Sequence, residues 1–196
     1  MLPSPLLIAS RNHHKLREIR GILGNNAPHD LRDLLLHPEY VPPEESAPDY
    51  LGNARLKAHH AAEHFGLPAL ADDSGIEVDA LGGLPGPRSA RFAGDDATDA
   101  LNNAELLSRL EGVLHPTARY RCVVVLAWPD GREIHAEGTC DGTIVREPRG
   151  HGGFGYDPHV ELTGGRTMAE LTEDEKNRIS HRFNALRHLL DAIVRG

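Results

Sequence analysis

Ala69-Leu70-Ala71-Asp72-Asp73-Ser74-Gly75-Ile76-Glu77-Val78 is the stretch on which the reading of this chain turns. Three apolar residues lead into two adjacent acids, and beyond Ser74-Gly75 the apolar Ile76 and Val78 alternate with Glu77 and Asp79 as in a half-buried strand. The acids therefore stand at a strand terminus. If the segment is extended, neighbouring side chains leave on opposite faces, so only one of Asp72 and Asp73 can face a given cleft and the other supports it. Asp-Asp-Ser-Gly suits a turn between two strands equally well, and composition at this point leaves both readings open.

Towards the N-terminus, Leu6-Leu7-Ile8-Ala9 reads as a short buried strand. It ends in the polar loop Ser10-Arg11-Asn12-His13-His14-Lys15, after which Leu16, Ile19 and Leu23 recur at helical spacing and Gly24 offers a C-cap. Residues 25–49 hold five prolines and many acids, which predicts irregular or edge structure forming the rim of a site. Leu51, Ala54, Ala58, Ala61 and Phe65 then make one face of a helix closed by Gly66, with Asn53 and Lys57 on the neighbouring face.

Downstream the pattern predicts a loop over 82–94 and a helix over 98–110. Strands over 120–128 and 132–139 flank the hairpin turn Pro129-Asp130-Gly131. A glycine-rich loop follows over 150–157. Thr172 with Glu175 gives a capping-box signal, and Ile179, Phe183, Leu186, Leu190 and Ile193 mark one face of a long terminal helix. The order of elements is that of an α/β fold with a mixed sheet. No repeat or low-complexity tract divides the chain, so residues 1–196 are expected to form a single domain.

A formal charge of -8 repels polyanions, which argues against a general grip on nucleic acid and requires local cations or a metal for any anionic ligand. No apolar run approaches the roughly 20 residues of a membrane span, and the first ten residues lack a basic, cleavable leader, so the expected compartment is the cytoplasm, without membrane partners. Cys122 and Cys140 lie in predicted strands and read as reduced core residues.

Four clusters could do chemistry. Asp73, with Glu44 or Glu45 from the rim, offers the hard oxygen donors that Mg²⁺ takes while keeping waters and substrate phosphates in its shell. The 10–15 loop joins a strand to a helix start, where backbone N–H groups and the helix dipole favour an anion, and Lys57 would add a point charge. His151-Gly152-Gly153-Phe154-Gly155-Tyr156-Asp157 combines close backbone approach with aromatics that could stack on a base. Lys176 and Ser180-His181-Arg182 bring donors for a keto oxygen or a phosphate. A fifth motif, His60-Ala61-Ala62-Glu63-His64, matches a zinc-peptidase pattern, but Gly66 closes its helix at once and no third ligand is evident.

Taken in order, these blocks resemble the inosine triphosphate pyrophosphatase family. The resemblance rests on Asn53-Ala54 through Lys57-Ala58, Ala71 to Gly75, Leu81 to Gly86 and Ser89 to Gly94. It continues through Gly153 to Pro158, Ala169 to Leu171, Glu175 to Asn177 and Ser180 to Arg182. It implies an elongated two-lobed α/β fold, a long central mixed sheet flanked by helices with the substrate cleft between the lobes, and a homodimer. The implied activity is hydrolysis of ITP, dITP and XTP, non-standard purine nucleoside triphosphates, to the monophosphate and pyrophosphate with Mg²⁺. By position, Asp73 resembles the general base and metal carboxylate, with Glu44 as second metal contact. Ser10, Arg11, Asn12, His13, His14 and Lys15 resemble the triphosphate loop. Lys57, Ser74, Phe154, Gly155, Tyr156, Asp157, Lys176, His181 and Arg182 resemble nucleotide contacts. The chain departs from the pattern with Ser10 for threonine, Arg11 and His14 for common glycines, and Gly52 where a glutamate often stands.

Overall fold

Six strands form one sheet in the order β2-β1-β3-β4-β5-β6 in the computed structural model, which describes residues 1–195. The strands are β1 (Leu6–Ile8), β2 (Leu31–Asp33), β3 (Ala69–Val78), β4 (Thr117–Ala127), β5 (Glu133–Ile144) and β6 (Val160–Glu161). β1 runs parallel to both β2 and β3 while β6 is antiparallel to β5, so the sheet is mixed, as the sequence predicts. The helices are α1 (His13–Leu23), α2 (Tyr50–Phe65), α3 (Asp99–Arg109), α4 (Glu173–Ile179) and α5 (His181–Arg195). The chain divides into two compact units, one made of residues 1–73, 122–138 and the chain from His181 on, the other of 74–121 and 139–180.

In the first unit the two-residue period of the strands builds two separate cores. Leu7, Ala9, Ala69, Ala71, Val123 and Val125 pack with Ala54, Ala58, Ala61 and Ala62 of α2, whose small side chains admit close contact. The alternate residues Leu6, Ile8, Leu70, Cys122, Val124 and Leu126 pack with Leu16, Ile19 and Leu23 of α1 and Ala185, Leu186 and Leu189 of α5. Each fully buried Leu or Ile here stabilises the fold by about 1.5–3 kcal/mol. Asn12 and Asp49 cap the starts of α1 and α2, and Gly66 ends α2 at φ 63°, a left-handed conformation that favours glycine.

The second unit gathers Ile76, Val78, Leu106, Leu110, Ala118, Tyr120, Ile144, Tyr156, Val160 and Met168 into its own core. α4 begins with the expected capping box, Thr172 and Glu175 each bonding the other's backbone N–H.

Three expectations need correction. β3 runs unbroken through Asp72-Asp73-Ser74-Gly75, so the acids sit in mid-strand and not at a terminus. The neighbouring strand β4 and the burial of β3 on both sides outweigh the turn propensity of those four residues. The terminal helix is two helices, because Ser180 between α4 and α5 is extended at φ -66°, ψ 160°. Apolar periodicity reads across such a one-residue break, yet Ile179 from the expected apolar face is 44% exposed. α5 begins hard against β5: a Cβ on Gly138 would lie 2.3 Å from the Ala185 nitrogen and 2.5 Å from the His181 carbonyl oxygen. Third, Cys122 is buried as expected but Cys140 is only partly so; both are free thiols. The β4–β5 hairpin is present, longer than predicted at its open end and one residue shorter on each side of the turn. Among the described residues no helix is long and apolar enough to cross a membrane.

Candidate active site

The pleat of β3 sends Asp72 to the α1/α5 side and Asp73 to the α2 side. Asp72, 3% exposed, receives Lys15 Nζ at 3.0 Å and Arg182 Nη2 at 3.1 Å on the same oxygen, Oδ2. The guanidinium of Arg182, 1% exposed, also bonds Glu18 through Nη1. Burial by itself would raise the Asp72 carboxyl's pKa, but the charges of Lys15, Arg182 and Lys57 outweigh it and hold the group well below the usual carboxylate range. Cys122 lies beside it, its thiol pushed up to about 12 by burial and by the Asp72 charge.

Asp73, 4% exposed, accepts Asn53 Nδ2 at 3.2 Å on Oδ2 and Lys57 Nζ at 3.2 Å on Oδ1. Lys57 also reaches Glu45 Oε1 at 2.9 Å, so one ammonium is shared by two carboxylates. Here burial wins: the Asp73 pKa is raised, with Lys57 and Lys15 only partly offsetting desolvation and Glu45 and Asp72 adding to it. Of the two rim acids, Glu45 joins this cluster while Glu44 is exposed.

A second constellation stands in the other unit. Asp157, 2% exposed, receives Lys176 Nζ at 2.6 Å and the Phe154 backbone N–H at 2.9 Å on Oδ2, and the Tyr120 hydroxyl at 2.8 Å on Oδ1. Lys176 Nζ lies 5.0 Å from the Phe154 ring centroid, within cation–π range. Gly153 stands at φ 72°, a conformation that favours glycine, and a Cβ there would lie 1.9 Å from Asp157 Oδ2, so a larger residue must displace that carboxylate. Gly155 is held from α3, its N–H donating to Asp99 and its carbonyl accepting from Asn103, at 2.7 and 2.9 Å. Tyr156 is buried in the core, its hydroxyl donating to the Ser89 carbonyl.

In the 10–15 loop the Ser10 hydroxyl accepts the Asn12 N–H, and Asn12 Oδ1 accepts the N–H groups of His14 and Lys15. The amides expected to face an anion are thus capped from within the loop. Lys15 reaches Asp72, Arg11 bonds the carbonyls of His37, Pro38 and Tyr40, and His13 and His14 are exposed. Ser74 follows Asp73 on β3, and His181 is buried in the first turn of α5. His60 of the zinc-like motif bonds the Tyr40 hydroxyl at 2.7 Å, and His64 packs edge-on against the same ring. Sequence reasoning missed Glu18, whose position three residues after Lys15 on α1 was the available signal. It also missed Tyr120, Asp99 and Asn103, for which the chain offered none.

Adjacent buried acids met by lysines and an arginine, carried on a mixed sheet with helices packed on its faces, suit an α/β enzyme that handles phosphates. The chain belongs to the Ham1 family, whose model matches residues 6–192. A dITP/XTP pyrophosphatase of Desulforamulus reducens is 46% identical over 97% of this chain and 96% of its own. One from Geobacter sulfurreducens is 48% identical over 95% of this chain and 94% of its own. A solved HAM1 protein from Coxiella burnetii superposes with a TM-score of 0.87 at 38% identity, covering 97% of this chain and 98% of that one. The family resemblance read from the sequence is borne out.

Proposed function

We propose that this protein hydrolyses the α–β phosphoanhydride of dITP, XTP and ITP, releasing the nucleoside monophosphate and pyrophosphate and so clearing these purines from the nucleotide pool. The observation that carries the reading is Asp73 and Glu45 converging on a single cation, Lys57 Nζ, beside the Asp72–Lys15–Arg182 cluster. Two carboxylates already gathered around one positive charge form a donor set suited to Mg²⁺, which needs only one or two protein oxygens when phosphates complete its shell. Asp73 with Glu45 or the adjacent Glu44 would hold it, and the ion would neutralise phosphate charge.

Asp73 is the catalytic residue of this reading. A carboxylate beside a bound cation stays ionised, because the cation favours its charged form, and so could orient a water and take its proton. Asp72 keeps Lys15 and Arg182 in place, and Lys57 and Lys15 meet the phosphates together with Ser10 and Asn12. The loop at Phe154 and Gly155 receives the purine, with Asp157 and Lys176 fixing the loop and Tyr156 anchoring it in the core. Donors matched to the 6-keto group lose their partner when the base is adenine, at about 1–3 kcal/mol each, enough for tenfold or greater rejection. The protein acts as a homodimer, which sedimentation at micromolar concentration tests.

The deciding measurement is pyrophosphate release from dITP, XTP, ITP, GTP and ATP, side by side, with Mg²⁺ and with chelator. Metal-dependent pyrophosphate from the first three is expected. Equal rates for all five, or orthophosphate as the product, would overturn the reading.

A further inference from the structure

The Arg11 guanidinium bonds main-chain oxygens: Nη2 donates to the carbonyls of His37 at 3.0 Å, Pro38 at 3.1 Å and Tyr40. Pro38, Pro42 and Pro43 have no N–H, so the segment closes few bonds of its own; the Tyr40 N–H to the His37 carbonyl at 3.2 Å is one, and Arg11 adds to it. All three contacts are made by Nη2, whose two hydrogens are shared among the neighbouring carbonyls, as suits a group that only donates. The Tyr40 ring is fixed as well, packed against Phe65 and bonded to His60.

The far end of the segment is also tied down. The Ala47 N–H donates to Asn53 Oδ1 at 3.0 Å, and a Cβ on Gly52 would stand 2.5 Å from the Ala47 Cβ. Residues 41–46, which carry Glu44 and Glu45, therefore span two anchored ends, and Glu45 meets Lys57 and through it Asp73. Asn53 links the two, since its amide nitrogen bonds Asp73 while its oxygen holds Ala47.

We infer that Arg11 is a positioning residue that clamps the entry to this acidic span and so presents Glu45 to the Lys57–Asp73 pair, and that it is not a phosphate ligand. Its consequence for the metal rests on the function proposed above; the clamp itself does not.

The test uses the whole protein and the variants Arg11→Ala and Gly52→Ala, which loosen opposite ends. In metal-free protein, hydrogen exchange of the backbone amides in residues 37–47 should quicken about tenfold in either variant, while those of β4 stay unchanged. Inorganic tripolyphosphate, titrated in chelator, should bind Arg11→Ala within about twofold of the parent, since no direct contact is lost. Half-saturating Mg²⁺ for dITP turnover should rise about fivefold in Arg11→Ala and no further when Arg11→Ala is added to Glu45→Gln. Unchanged exchange over 37–47, a tenfold loss of tripolyphosphate affinity, or additive metal effects would each overturn the clamp. If the parent protein releases no pyrophosphate from dITP, the proposed function fails, and the exchange and tripolyphosphate measurements still decide the role of Arg11.

Discussion

The two faces of β3 treat the same side chain in opposite ways. On the α1/α5 face Asp72 is wholly buried among cations and kept charged; one residue on, facing α2, Asp73 is almost as buried but its pKa is raised. The difference lies in the number and closeness of partners. Lys15 and Arg182 both close directly on Asp72, whereas Asp73 shares its one lysine with Glu45. A carboxylate saturated by fixed cations serves as a structural anion, while one still short of positive charge can take up a metal and a proton. Asp157 in the second unit is also buried, with Lys176 as its one cation and the Tyr120 hydroxyl as a further donor.

The sharpest way to break this comparison is to neutralise each acid in turn. Asp73→Asn should lower turnover of dITP by about 10²–10⁴-fold while the metal-free protein melts within a few degrees of the parent. Near-normal turnover would reassign the base. Asp72→Asn should instead unfold more easily, by about 3–5 kcal/mol in urea, because Arg182 and Lys15 lose a buried counter-charge. If the two variants proved equally stable, the contrast between the faces would be lost.

Gly153→Ala tests the second anion. Its methyl would displace the Asp157 carboxylate from Lys176 in a backbone conformation that suits glycine, at a cost of about 1–3 kcal/mol. The variant should raise the KM for dITP more than it lowers kcat. A KM like the parent's would detach this loop from nucleotide binding.

The smallest effect is expected at Glu133, a more open ion pair that receives Arg55 Nε and His59 Nε2, both at 2.8 Å. Its carboxyl pKa is lowered, first by the Arg55 hydrogen bond, so its stabilisation is present above the unfolded value of 4.5 and is lost as acid carries the pH down through the folded value. Glu133→Gln should cost less than about 1 kcal/mol at neutral pH, given its solvent screening, and should flatten the acid limb of the stability curve. A loss as large as that of Asp72→Asn would mean that burial is not what separates strong from weak pairs in this fold.

Much of this arrangement was legible in the chain. The alternation around Asp72-Asp73 already placed the two acids on opposite faces if the segment was extended, and the helix caps and hairpin turn are local features that residues next to one another dictate. The break at Ser180 was not legible, because the apolar period continues across it. Nor was the continuity of β3 through Asp-Asp-Ser-Gly, which pairing and packing impose against local preference. Arg11 reads as part of the phosphate loop because that loop runs from a strand into a helix start; its side chain bonds carbonyls 26 to 29 residues away.

The sequence by itself determined the family, the mixed α/β class and the opposed directions of the paired acids, since period, capping and motif order are properties of neighbouring residues. Only the tertiary structure decided which acid would be saturated with charge. Arg182 reaches Asp72 across 110 residues and Glu18 across 164, whereas Lys57 reaches Asp73 across 16. Coulomb energies depend on distance through space and on burial, and neither quantity is written in the order of residues along a chain.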